Sequence, residues 1–143
     1  MTTGQHSGAL PDLLPDLLLD RSLGTIAVPA LLRAAGLRVH TLVDVYGPAA
    51  EAVEDAEWLG YAGQRGWPVL LRDPHIRRRT VERAVITAQG VHAFCLGGAQ
   101  LEPAVLADRF LSVLDAVALA CARPGPALYL ITASGMRSVS GDR

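Results

Sequence analysis

Short apolar runs that alternate with segments of helical pattern constrain this chain more than any other feature of its sequence. The pattern predicts strands over Leu17–Leu19, Arg38–Leu42, Pro68–Leu71, Val91–Leu96 and Ala127–Thr132. It predicts helices over Val28–Ala35, Ala56–Gln64, Val81–Ala88 and Pro103–Cys121. Strands that alternate with helices are typical of parallel β-α-β units, and right-handed crossovers then cover both faces of the sheet with helices. The sequence therefore predicts an α/β fold with a central, mostly parallel sheet.

The length and composition favour one folded domain. A chain of 143 residues can bury one substantial core, and half of its residues are hydrophobic. Met1–Pro15 is rich in Gly, Pro and polar residues, so we expect a flexible N-terminal arm over 1–15 and a single domain over 16–143. The chain shows neither an apolar stretch of membrane-spanning length nor the pattern of a secretory signal, so we expect a cytoplasmic protein.

Two of the predicted strands are followed by an aspartate. Asp20 directly follows the first strand, and Asp73 follows the third. In parallel sheets functional groups gather at the carboxyl ends of the strands. Burial of a carboxylate there costs free energy unless a bound group or hydrogen-bond donors offset its charge. Asp55 and Glu57 lie near the start of a predicted helix and can lean towards the same edge. These acids together predict a carboxylate site for a hard cation such as Mg²⁺.

Each of these acids also has a purely structural interpretation. Asp20 could cap the next helix, and Asp73 precedes Pro74 in a pair that commonly starts a turn. Asp55 and Glu57 would favour the helix dipole without any catalytic role. The combination supports a cation site more strongly than any single residue does.

The basic charge is all arginine, in a chain whose net charge is −1. Arg77, Arg78 and Arg79 are consecutive and begin four residues after Asp73, at the start of a predicted helix. Positive charge at a helix start opposes the dipole, which favours a functional explanation. Beside the acidic edge these arginines, together with Arg21, could hold a phosphate backbone. The alternative is a solvated helix surface.

The predicted helix Pro103–Cys121 is apolar nearly all round. A surface helix of a small domain normally keeps a polar face. The excess of apolar residues indicates either complete burial or an additional contact with a partner protein or a second copy of the chain.

The chain contains four short sequence motifs in a fixed order. They are Leu-Asp-Arg-Ser-Leu-Gly from Leu19, Asp-x-Glu-Trp-Leu from Asp55, Arg-Gly-Trp-Pro-Val-Leu-Leu-Arg-Asp from Arg65, and Ile-Arg-Arg-Arg from Ile76. In order and spacing they resemble the PIN-like domain superfamily, and within it the VapC-type toxin ribonucleases. The similarity covers about Leu17–Leu96, more than half of the chain.

The resemblance implies a three-layer α/β/α fold and cleavage of RNA that depends on Mg²⁺ or Mn²⁺. It also implies a cognate antitoxin protein that blocks the site. By position it assigns the catalytic, metal-binding acids to Asp20, Asp55 and Asp73, with Glu57 as the alternative to Asp55.

The chain departs from the larger family pattern in one respect. That pattern includes a fourth acid late in the chain, whereas Leu130–Met136 contains none and offers only Thr132 and Ser134 as weak ligands. The alternative function is therefore a non-catalytic PIN-like module that binds RNA or protein. A receiver-like signalling domain would need a lysine after the last strand, and the chain has no lysine.

Overall fold

Six strands form one sheet within residues 10–72, 80–97 and 102–139, which the computed structural model describes. The strands are β1 (Leu17–Leu19), β2 (Val39–Thr41), β3 (Val69–Leu71), β4 (His92–Leu96), β5 (Ala127–Thr132) and β6 (Gly135–Ser138). Their order across the sheet is β2-β1-β3-β4-β5-β6. The first five strands are parallel, and β6 pairs with β5 in the antiparallel direction. The predicted central, mostly parallel sheet is confirmed.

Helices connect the parallel strands. The α-helices are α1 (Ala27–Ala34), α2 (Leu42–Tyr46), α3 (Asp55–Arg65), α4 (Thr80–Gln89), α5 (Pro103–Leu111) and α6 (Leu114–Cys121), with 3₁₀-helices at Arg21–Leu23 and Gly47–Ala52. The α2 helix and the 3₁₀-helix after it follow β2 directly, in a segment for which the sequence pattern predicts no helix. A capping box at Thr41 starts α2, which ends β2 before Leu42.

The sheet separates two hydrophobic cores. Successive strand residues point to opposite faces. Leu17 and Leu19 therefore lie in one core, together with residues of α1, α5 and α6. Leu18 lies in the other core, with residues of α3 and α4. This arrangement confirms the three-layer α/β/α fold.

The predicted helix Pro103–Cys121 is wrong as a single element, because the chain interrupts it at Ser112 and Val113. The Ser112 hydroxyl donates to the carbonyl oxygen of Arg109 at 2.9 Å. Such a bond competes with the regular helical ladder. The break lets α5 and α6 both bury apolar residues in the same core, while Leu119 remains 61% exposed.

A sixth strand, β6, follows β5 in a part of the chain where the sequence pattern predicts no strand. Residues of β6 pair with β5 from Tyr129↔Ser138 to Thr132↔Gly135. Gly135 has φ +126°, a backbone conformation that favours glycine, and it follows the two-residue turn between the strands. The sequence Gly-Met-Arg-Ser shows no alternation, so the pairing of β6 rests on main-chain hydrogen bonds that local pattern does not reveal.

The described part of the N-terminal segment packs on the domain. Residues 10–12 are helical, and Leu14 is 2% exposed within the first core. The packed region of the chain therefore begins before residue 16. Across the described ranges, none of the helices combines the length and the apolar character needed to cross a bilayer.

Candidate active site

Asp20 lies at the carboxyl end of β1 and is 9% exposed. Its backbone is extended, and its N–H donates to the Leu70 carbonyl oxygen of β3 at 2.9 Å. Its side chain caps the short 3₁₀-helix Arg21–Leu23, with the Ser22 hydroxyl donating to Oδ2 at 2.6 Å. Asp20 is thus a helix cap, as one interpretation predicts, but of this short helix, because Ile26 occupies the N-cap position of α1.

Ser22 connects the ends of β1 and β3. The Ser22 hydroxyl oxygen accepts a hydrogen bond from the backbone N–H of Arg72 at 3.1 Å, and the same hydroxyl donates a hydrogen bond to Asp20. Arg72 follows β3 and precedes Asp73 in the sequence. The two strand ends on which the sequence places its acids are therefore held side by side.

Asp55 is the first residue of α3, and both Asp55 and Glu57 lie in the first turn of this helix. Negative charge at this position favours the helix dipole. The Asp55 carboxylate accepts a hydrogen bond on Oδ1 from Trp58 Nε1 at 2.9 Å, and Arg21 Nη1 lies 3.6 Å from the same oxygen. Trp58 is 1% exposed, so its indole attaches the carboxylate to the second core.

Arg21 connects Asp55, and the segment before α3, to the end of β1. Arg21 is the neighbour of Asp20 in sequence, and its Nη2 donates to the carbonyl oxygens of Ala50 at 2.9 Å and Val53 at 2.8 Å. Glu57 is exposed, and among the described residues it forms neither a hydrogen bond nor an ion pair with Arg21 or Asp20. Of the two acids in the first turn of α3, Asp55 is therefore the one that Arg21 connects to the end of β1.

A cavity of about 30 Å³ lies beside Asp20 and is also lined by Thr41, at the end of β2. The Thr41 N–H donates to Asp44 Oδ2 at 2.8 Å, and the Thr41 hydroxyl accepts from the Asp44 N–H at 3.1 Å. The backbone hydrogen bond from Thr41, with a further contribution from Arg33, lowers the pKa of Asp44. The Asp44 carboxylate therefore stays ionised in the cap, and it fixes the wall of the cavity.

Several predicted site residues fall outside the described ranges. These are Asp73, Arg77, Arg78 and Arg79. Among the residues that are described, no group of three or more His, Cys, Asp or Glu side chains is arranged to hold a metal ion. Asp20 and Asp55 offer two carboxylates, which is the donor chemistry that Mg²⁺ and Mn²⁺ accept in proteins.

Thr132 and Ser134, the weak ligands that could replace the fourth acid of the family pattern, lie elsewhere on the same edge. Thr132 ends β5, and its hydroxyl accepts from the Ser134 N–H at 3.2 Å in the turn to β6. Strand β5 is three positions from β1 in the sheet, and since neighbouring strands lie about 4.8 Å apart, their ends are about 14 Å apart. Thr132 is therefore too distant to share one small cation with Asp20.

Ser22 and Trp58 contact the candidate acids, although sequence reasoning assigns neither to the site. For Ser22 the signal is the Asp-x-Ser spacing, which is typical of a local side-chain turn. For Trp58 it is the i, i+3 spacing from Asp55, which places both on one helix face. Trp58 is a core residue, and its indole N–H also donates to the Asp55 carboxylate.

The fold and this edge define an α/β protein with a nearly buried acid, Asp20, at the carboxyl end of a parallel strand. Comparison with known proteins gives the family. The family model described as PIN like domain matches residues 15–98, more than half of the chain. The chain is also 38% identical, over 124 residues, to a protein of Mycobacterium tuberculosis (strain ATCC 25618 / H37Rv) named "Putative ribonuclease VapC45". That similarity covers 84% of this chain and 90% of the relative.

The chain belongs to the PIN-like domain family. The resemblance seen in the sequence motifs is thereby confirmed. No solved structure gives a significant match to the chain.

Proposed function

We propose that this protein is a metal-dependent endoribonuclease and the toxin of a toxin–antitoxin pair. Its family membership and its similarity to a protein named as a ribonuclease support the activity. The observation that carries the proposal is the edge formed by Asp20 and Asp55. Asp20 is nearly buried at the end of β1, and Arg21 links it to the carboxylate that begins α3.

Asp20, Asp55 and Asp73 are the proposed ligands of Mg²⁺ or Mn²⁺, with Glu57 as the alternative to Asp55. When bound, the metal would activate a water molecule and offset the negative charge that develops on the phosphate. The bond between Ser22 and Asp20 fixes one carboxylate, and the bond between Trp58 and Asp55 fixes another. Carboxylates that are held by such bonds lose less freedom when they bind a cation.

We assign the RNA backbone to Arg77, Arg78 and Arg79, which follow Asp73 closely in sequence. Each phosphate contact should contribute roughly 0.7 to the slope of log affinity against log salt for single-stranded RNA. Replacing all three with Gln should reduce that slope and leave metal affinity unchanged. A folded triple variant with the wild-type slope would show that these arginines do not contact RNA.

The proposed partners of the protein are RNA and a cognate antitoxin protein, in the cytoplasm. The antitoxin would cover the acidic edge and block cleavage. A second copy of the chain is a further candidate partner, and the exposed Leu119 on α6 supports a contact there.

The test of the activity compares two aspartates at opposite ends of β1. Asp20→Asn should abolish RNA cleavage that depends on added Mg²⁺ or Mn²⁺ and is stopped by EDTA. Asp16→Asn is the matched control, because Asp16 precedes β1 and binds Arg38 and His40 at the other edge of the sheet. Circular dichroism would verify that both variants are folded.

Cleavage by folded Asp20→Asn at the wild-type rate would refute the assigned site. If the wild-type protein binds RNA but cleaves it with neither metal, the non-catalytic module is the correct function. Loss of cleavage in both variants while both remain folded would show that the effect is not specific to the proposed edge.

A further inference from the structure

We propose that Arg21 is a positioning residue, which holds the Asp55 carboxylate and the segment before α3 against the end of β1. This inference rests on the proposed function, because Asp55 is one of the proposed metal ligands. It assigns Arg21 a different role from the RNA contact that its position in the sequence suggests.

The evidence is the set of protein contacts that the Arg21 guanidinium makes. Nη2 donates to the carbonyl oxygens of Ala50 and Val53, and Nη1 faces the Asp55 carboxylate. All three partners lie within residues 50–55, which lead into α3. The planar guanidinium can donate from two nitrogens in fixed directions, so one side chain can bind both the backbone and the acid.

The backbone of Arg21 is itself fixed to the sheet. Its neighbour Asp20 donates its N–H to Leu70 of β3, and the Gly24 N–H donates to the Arg21 carbonyl oxygen at 3.0 Å. The side chain therefore extends from a rigid strand end to a segment without sheet pairing. Displacement of that segment would displace Asp55, and Arg21 opposes it.

Arg21 is not the only group that orients Asp55. Trp58 approaches the same oxygen from the second core. Trp58 fixes the carboxylate relative to α3, whereas Arg21 fixes it relative to β1 and Asp20. A cation shared by Asp20 and Asp55 needs the second relation, since these acids belong to different elements.

Two roles of Arg21 can be separated because charge and geometry change differently in two variants. Arg21→Lys keeps the positive charge but replaces the fork with one nitrogen, which cannot reach both carbonyls and the carboxylate. Arg21→Gln removes the charge. If Arg21 acted by charge alone, through attraction of RNA or neutralisation of the acids, the lysine variant would behave like the wild type.

The experiment measures Mn²⁺ binding to the RNA-free protein by titration calorimetry. We expect Arg21→Lys to weaken Mn²⁺ binding by about 10-fold or more, the usual effect of losing a residue that orients a metal ligand. Arg38→Lys is the matched control, because Arg38 likewise contacts a backbone carbonyl and a carboxylate, Leu14 and Asp16, at the opposite edge. It should leave Mn²⁺ binding unchanged.

A second measurement follows amide hydrogen exchange in residues 47–55. Arg21→Lys should accelerate exchange there and leave β1 and β3 unaffected. RNA affinity of Arg21→Gln across a salt series should keep the wild-type slope.

The outcomes distinguish this inference from the proposed function. Wild-type Mn²⁺ affinity in folded Arg21→Lys, or unchanged exchange in residues 47–55, would overturn the positioning role. A salt slope reduced by roughly 0.7 in Arg21→Gln would instead make Arg21 an RNA contact. A wild-type protein that neither binds Mn²⁺ nor cleaves RNA would refute the proposed function, and the exchange measurement would then decide whether Arg21 still restrains residues 47–55.

Discussion

Helix α3, which begins at Asp55, packs on α4 through two glycines that face the same residue. A Cβ atom at Gly63 would lie 2.8 Å from the Cβ atom of Gln89 and 2.9 Å from its backbone oxygen. A Cβ atom at Gly60 would lie 3.7 Å from the Gln89 side-chain nitrogen, which is an ordinary contact. Gly63→Ala and Gly60→Ala therefore add the same methyl group to one helix, with and without a steric conflict.

The expected effects follow from two opposing terms. Alanine is favoured over glycine in a helix by about 1 kcal/mol, and this term acts at both positions. At Gly63 the added methyl group meets backbone as well as side chain, so the two helices must separate, and such overpacking costs about 1–3 kcal/mol. We expect Gly60→Ala to raise the free energy of unfolding by up to about 1 kcal/mol, and Gly63→Ala to be less stable than Gly60→Ala by about 1–3 kcal/mol.

Urea unfolding at pH 7, followed by circular dichroism, measures both free energies against the wild type. The comparison of the two variants removes most of the contribution of helix propensity. Gly63→Ala that is as stable as Gly60→Ala would refute the close contact between α3 and α4 at Gln89.

Three further predictions concern Asp55, Asp16 and Asp20. Trp58→Phe removes the N–H that binds Asp55, so it should lower the free energy of unfolding by about 1–3 kcal/mol and weaken Mn²⁺ binding in calorimetry; wild-type Mn²⁺ affinity would show that the indole does not orient a ligand. The hydrogen bond from His40, together with the contacts from Arg38, lowers the pKa of Asp16 in the folded protein. The ionised Asp16 therefore stabilises the folded state fully above the unfolded pKa of about 3.9, and this stabilisation is lost as the pH falls through the folded pKa. The stability difference between wild type and Asp16→Asn should therefore shrink below about pH 4 in urea unfolding, and a pH-independent difference would contradict this linkage. In Asp20→Asn, the Ser22 hydroxyl keeps an acceptor, so the variant should remain folded with a thermal midpoint close to that of the wild type, and a cooperative unfolding transition in calorimetry would verify this.

The order of strands and helices could be predicted from the sequence because it depends on local pattern. The continuous apolar run of β3 and the glycine after α3 are typical of a buried parallel strand and of a helix end. Membership of the PIN-like family could also be predicted, since the motifs around Asp20 and Asp55 are contiguous in sequence.

The break between α5 and α6 and the pairing of β6 could not be predicted, because both depend on distant partners. Ser112 looks like one more helical residue until α5 and α6 must both pack into the same core. Strand β6 has little strand pattern of its own and is fixed by main-chain bonds to β5. Local propensity is weak in both places, and tertiary packing decides the outcome.

Some features of the candidate site could likewise be predicted from the sequence, and others could not. The sequence by itself determined which residues carry the carboxylates and that Asp20 ends a strand, because residue type and strand pattern are local properties. Only the tertiary structure decided that Arg21 binds the segment before α3 and that Trp58 binds Asp55 from the core. Hydrogen bonds between groups 29 and 32 residues apart, such as those of Arg21 with Ala50 and Val53, form only after the sheet and its helices have brought those groups together.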